Sequence, residues 1–503
     1  MRILNIQITA ALLVVASMLG SCRKNFAPST AIDENSALTS AADIETATIG
    51  TYAVLRNPSY VRSNHFLVEY PGDEIAQGQN SSDDLSRAYR YNHLTTGSHA
   101  ASFWVQAYFV VGAANKIIAA IPDDAASDLR QLKGENLFLR AMMHFNLVRV
   151  FGRPYTQGNG ENPGVPVLSE ELTDDQKLTI SRSKVSEVYA SVISDLEKAA
   201  DLMTVSKANP FASKEVAQAL LSRVYLYMGN NEKAIEYADN VINSGRYSLL
   251  TGSAYAGYFR GEPEANSETI FCIRHTKTQD EGFSAIGSMY YSGDASGTAA
   301  NKGVSGWGEI YASKKLYDFI NEHPEDLRLG FISPYRVNGV LQYNSSLATP
   351  TPMYYINKYN LQEGIVNLSS PVYLRLAEIY LIRAEANAKL GNDQEAIDDV
   401  NAIRTRAGLS GAALHTSGSL AVAGKTTLDA VLEERWVELA FEGHRAYDLF
   451  RNNRPMMRNY PGTHSLNVSP NNINQTVPPT DNRIIFYIPE NERAKNPNLV
   501  QNP

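Results

Sequence analysis

Residues 371–409 read PVYLRLAEIYLIRAEANAKLGNDQEAIDDVNAIRTRAGL, and their apolar spacing describes two helices. In the first, Leu374, Ala377, Ile379, Leu381, Ala384, Ala388 and Leu390 recur at helical intervals, with Arg375, Glu378, Arg383, Glu385 and Lys389 between them. Gly391 can take positive φ and end that helix. Asn392 and Asp393 can cap a second one, whose apolar positions are Ala396, Ile397, Val400, Ile403 and Ala407. The Leu-Gly turn followed by Ala396 is the tetratricopeptide pattern, in which small residues let two antiparallel helices approach closely.

A second copy lies 162 positions earlier, where AQALLSRVYLYMGNNEKAIEYADNVI (217–242) puts Gly229, Asn230, Ala234 and Ile235 in the places of Gly391, Asn392, Ala396 and Ile397. A tandem array would repeat every ~34 residues, so material is inserted between the copies. Ser127 to Phe151 and Val185 to Met203 predict a third pair, itself interrupted by a loop after Gly152-Arg153-Pro154. Further helices are predicted at 41–55, 102–121, 313–321, 428–442 and 444–451, and short strands at 269–273 and 354–359. The expected fold is mostly α, a scaffold of tetratricopeptide-like helix pairs with an irregular loop and short-strand lobe inserted.

The chain has 503 residues, 44% of them apolar, and a formal charge of −8 from 53 acidic and 45 basic side chains. This balance offers no positive field for a phosphate backbone, so nucleic acid is not an expected partner. Arg2, the short apolar run Ile8 to Leu19, and Leu19-Gly20-Ser21-Cys22 read as a targeting segment. Only Cys272 would remain besides Cys22, as a small core residue in an apolar strand. The expected divisions are a signal peptide at 1–21, a tether at 22–40, an N-terminal helical part at 41–245 and a C-terminal part at 246–503.

Two stretches break the helical periodicity. EYPGDEIAQGQNSSDDLSRAYRYNHLTTGSHA (69–100) is rich in Gly, Asn, Ser and Asp, and Gly245 to Gly308 is irregular and aromatic. Long loops within a compact domain are commonly functional.

The segment LDAVLEERWVELAFEGHRAYDLFR (428–451), together with YLRLAEIYLIRAEA (373–386), the ending IPENERAKNPNLVQNP (488–503) and the cysteine box, resembles the SusD/RagB family of Bacteroidetes outer-membrane lipoproteins. The Leu-Gly-Ser-Cys ending is similar to a lipobox, which implies cleavage before Cys22 and its lipidation. The resemblance spans essentially the whole mature chain. It implies about four tetratricopeptide-like pairs bearing a loop lobe, no enzymatic activity, no cofactor, and a place as lid on a SusC-like TonB-dependent transporter. The implied role is capture of a nutrient at the outer membrane, most often a glycan and sometimes a peptide or glycopeptide. Arg23 and Lys24 depart from the acidic residues that commonly follow the cysteine in surface-exported members.

Glu434, Glu438 and Glu442 recur at i, i+4 and i+8, which suggests the paired carboxylates of a glycoside hydrolase. An unpaired stripe of like charge is unfavourable, however, and Arg435, Arg445 and Arg451 are at hand, so an ion-pair network is expected instead. Gly424-Lys425-Thr426 lacks the glycine a phosphate loop needs at position 419, which is Ser. No zinc-binding histidine pair or nucleophile elbow is present.

Sugar capture asks for aromatic faces beside short polar side chains. Asn80, Asp83, Arg87, Tyr89, Tyr91 and His93 meet this in the first loop, and Tyr290, Tyr291, Asn301, Trp307 and Tyr311 in the second. Trp307, set in Gly303-Val304-Ser305-Gly306-Trp307-Gly308, is the leading candidate; the alternative is that it plugs the loop against the helices. Trp104 and Trp436 are expected in the core.

Overall fold

Gly229 and Gly391, matched by the repeat register, end their helices alike, at φ +80° and +83°. Both take the left-handed conformation that glycine adopts without steric cost. In a computed structural model, which describes residues 38–79, 83–293, 306–467 and 473–503, these turns close the helix pairs Lys214–Met228/Asn231–Ile242 and Leu376–Leu390/Asp393–Arg406. Asn230 caps its helix by accepting from the Lys233 amide at 3.2 Å. Asn392 does not, and donates to Asn387 Oδ1 at 3.0 Å instead.

The scaffold is one continuous stack. Ala41–Val54 packs on Ser98–Ala120, and the order then runs through Ser127–Phe151, Val185–Leu202, Lys214–Met228, Asn231–Ile242, Leu376–Leu390, Asp393–Arg406 and Thr427–Glu438. Asn231–Ile242 therefore packs directly on Leu376–Leu390, although residues 243–375 lie between them in sequence. The described residues of that segment form the inserted lobe. It is fastened at its exit by Thr269–Cys272 pairing antiparallel with Val372–Arg375, just before the next scaffold helix. Cys272, on this strand, is buried. Every sheet among the described residues has two strands.

The first loop is more ordered than its composition implies. It carries the strand Ile75–Gln77 and the helix Asp84–Arg90, and the following helix starts at Ser98. These elements have three and seven residues, too few to print a periodicity, and they exist through distant partners.

The glutamate stripe is a buried ion-pair network. Its partners, however, are not the neighbouring arginines. Glu434 meets Arg328 and Arg404 at 2.5 and 2.9 Å, Glu438 meets Arg375 and Arg406 at 2.5 Å each, and Glu442 meets Lys358 and Arg375 at 2.7 and 2.8 Å. Arg435 sits about 100° round the helix from Glu434 and pairs with Asp448, while Arg445 pairs with Asp73 and Arg451 with Glu385. The helix ends at Glu438, short of the expected Glu442, because Phe441 and Gly443 turn at φ +69° and +75°. The network ties the lobe, through Arg328 and Lys358, to the scaffold.

Candidate ligand-binding site

The two irregular stretches meet at one ladder. Ile75–Gln77 pairs antiparallel with Ile310–Ala312, and the Gly78 amide extends the pairing to the Glu309 carbonyl at 3.3 Å. Gln79, exposed, thus emerges from the first loop beside the residues that follow Trp307 in the second.

Two glycines present Trp307 outward. A Cβ on Gly306 would stand 2.2 Å from the Tyr291 carbonyl oxygen, and one on Gly308 would meet Ser292 and Tyr355 below 3 Å. The Gly308 and Glu309 amides donate to the Ser288 and Met289 carbonyls at 2.9 and 3.0 Å. The backbone on either side of Trp307 is therefore pressed onto the lobe core, and the indole, 53% exposed, stands clear of it. Phe283, 46% exposed, packs edge-on against the indole, with centroids 5.4 Å apart and planes at 81°. Sequence reasoning missed Phe283; the signal was an isolated aromatic in the polar run Gln279-Asp280-Glu281-Gly282-Phe283-Ser284.

The candidate tyrosines lie elsewhere. Tyr89, Tyr91, Tyr290 and Tyr291 are each at most 1% exposed, so none has a face for a sugar, and the expectation that they contact ligand is corrected. Each is framework. Tyr89 hydrogen-bonds His464 Nδ1 at 2.8 Å and holds the Arg458 guanidinium 3.9 Å above its ring; Tyr91 donates to the Pro71 carbonyl at 2.5 Å. The Tyr290 hydroxyl meets His65 Nε2 at 2.6 Å, and burial drives the His65 pKa down to about 3, so this imidazole stays neutral. Tyr291 packs against Tyr355, Tyr311 is buried beneath Asn344, and His93 stacks on Phe486. The 28 tyrosines of the chain satisfied the aromatic requirement on paper, but a ring with one polar tip is equally suited to a core that offers an acceptor.

Asp83 is exposed but caps Asp84–Arg90 by accepting from the Leu85 amide at 3.0 Å, and also meets His99 Nε2 at 3.2 Å. Arg87 is half-buried, 3.8 Å from Asp84. Asn80, Asn301 and Cys22 lie outside the described residues. Trp104 and Trp436 are in the core, as expected. Among the described residues no three His, Cys, Asp or Glu side chains are grouped to hold a metal ion.

Residues 335–503 match the profile described as the SusD family, and residues 28–226 match one described as starch-binding associating with outer membrane. The chain belongs to the SusD/RagB family. Among its SusD-like relatives, protein P2 of Formosa agariphila is 28% identical over 82% of this chain and 83% of its own length. A SusD superfamily crystal structure from Bacteroides thetaiotaomicron superposes with a TM-score of 0.79 at 29% identity, covering 92% of this chain and all of that one. A laminarin-binding SusD-like protein shares the fold, with a TM-score of 0.71 at 24% identity over 92% of this chain and 99% of that one. The helix-pair scaffold with its inserted lobe is thus the SusD fold, and the family signature at 428–451 is the buried charge network.

Proposed function

We propose that this protein captures a glycan, an oligo- or polysaccharide, without chemical turnover, and delivers it to a SusC-like TonB-dependent transporter in the outer membrane. The single observation that carries the capture reading is the exposed Trp307, backed edge-on by Phe283 and presented by two glycines locked to the lobe core. A pyranose packs its C–H face on such a ring while its hydroxyls bond to short polar groups, and modest affinity follows because both surfaces are well hydrated. The laminarin-binding neighbour and the starch-binding profile support a sugar as ligand. Burial and pairing of Glu434, Glu438 and Glu442 remove the carboxylates that would suggest a hydrolase.

The leader 1–21 would be removed, and acyl chains on Cys22 would hold the body near the transporter through the tether 22–40, at the cell surface; several acyl chains anchor a soluble domain far better than one. Calorimetric titration of a soluble form beginning at Asn25, with product analysis, tests the capture reading against plant, host and microbial glycans and mixed peptides. Saturable glycan binding without product, lost in Trp307→Ala and weakened in Phe283→Ala, supports it. Turnover overturns it, and binding of peptides alone replaces the glycan by a peptide or glycopeptide.

A further inference from the structure

Two buried carboxyl groups meet beneath the signature turn. Glu69 Oε2 accepts from the Gly443 amide at 2.8 Å, and Glu74 Oε2 accepts from the Phe441 amide at 3.1 Å. Both side chains are buried, and among the described residues neither carboxyl is ion-paired with a cation. Glu69 Oε1 is fully buried and, among the described residues, receives no amide, hydroxyl or cationic donor. An ionised carboxyl only accepts, and a buried one without a cation is costly enough that it takes up a proton instead. A proton on Glu74 would answer the open Glu69 Oε1.

The position of the pair gives that proton a mechanical role. Glu74 immediately precedes Ile75–Gln77, and its carbonyl accepts from the Ser313 amide at 2.7 Å, just beyond the partner strand Ile310–Ala312. Phe441 and Gly443, whose amides donate from the other side, are both at positive φ. We propose that Glu74 and Glu69 form a proton-sharing latch that ties the signature turn to the ladder beneath Trp307, and that it loosens as pH rises.

Groups facing the pair do not supply an alternative donor. Lys358 is bonded to Glu442 at 2.7 Å, and Arg445 is bonded to Asp73 at 2.8 Å, so both cations are already committed. The Tyr359 hydroxyl donates to the Phe441 carbonyl, Tyr290 is engaged with His65, and the buried Tyr70 hydroxyl makes no hydrogen bond to either carboxyl. Burial is the largest influence on both carboxyls and pushes both above the usual range, Glu74 further because Glu69 faces it. The folded state thus keeps a proton that the unfolded chain releases above pH ~4.3, and the latch's contribution declines as pH rises from there.

The test uses the mature chain at about pH 6 and about pH 8.5, comparing amide-exchange protection in 75–77 and 441–443 with that in the scaffold helix 376–390, which serves as an internal reference. Protection in the two latch segments should fall about tenfold relative to the reference at the higher pH. Glu74→Gln keeps the acceptor for Phe441 and supplies a permanent donor to Glu69, so it should abolish that fall and flatten the pH profile of thermal unfolding. Unchanged wild-type protection between the two conditions overturns the proposal, as does an E74Q profile that still follows the wild type. If E74Q does not fold, the wild-type exchange ratio alone decides.

Discussion

Arg375 Nε lies 2.8 Å from Glu442 Oε2, across 67 positions of sequence. The same guanidinium donates to Glu438, and Arg375 ends the strand by which the inserted lobe rejoins the scaffold. One side chain thus joins the lobe exit, the signature helix and the turn beyond it.

Truncating that residue should be costly. Arg375→Ala leaves Glu442 and Glu438 buried with fewer partners, and breaking a buried pair from one side costs about 3–5 kcal/mol. Denaturant unfolding should show the loss. A variant within about 0.5 kcal/mol of wild type would mean that Lys358, Arg406 and Arg328 hold the network alone.

Acid should act through the same cluster. Burial opposes ionisation of Glu438, but the guanidiniums of Arg406, Arg375 and Arg328 outweigh it and hold its pKa well below the carboxylate range. A depressed folded pKa contributes stability that is present above the unfolded value, ~4.3, and is lost as pH falls towards the folded one. Thermal unfolding between pH 6 and 3 should therefore steepen below about 4.3, and Glu438→Gln should be less stable at pH 6 with a shallower acid slope.

Frame and contact residues should separate cleanly by mutation. Tyr290→Phe leaves His65 Nε2 buried without its partner and should cost about 1–3 kcal/mol while sparing ligand affinity. Trp307→Ala removes a half-exposed ring, should move stability by no more than about 0.5 kcal/mol, and should abolish binding. Parallel melting and titration of the two variants checks both halves; the reverse pattern would move the binding surface away from Trp307.

Glycines divide the same way. Gly306→Ala drives a Cβ to 2.2 Å from a backbone oxygen, a contact that no rotamer change relieves, and should cost about 1–3 kcal/mol and shift Trp307 fluorescence. Gly50, inside the helix Ala41–Val54, has nothing within 4 Å of its would-be Cβ. Its replacement by alanine should stabilise by about 0.5–1 kcal/mol.

Sequence by itself determined the helix pairs. The periodicity of 373–407 and 217–242, and the glycine that ends each first helix, are local properties, and the chain folds at Gly229 and Gly391 as they dictate. It also showed that the glutamate stripe needed cations and that Trp307 sat among glycines suited to a close backbone. Only the tertiary structure decided which cations these are: Arg328, Lys358, Arg375, Arg404 and Arg406 reach Glu434, Glu438 and Glu442 from other elements, whereas the neighbouring Arg435 faces Asp448. It likewise turned Tyr89, Tyr91, Tyr290 and Tyr291 inward and left Phe283 beside Trp307. A tyrosine carries no local mark of its orientation, because either a core with an acceptor or a wet surface satisfies it, and what covers the ring comes from residues far along the chain.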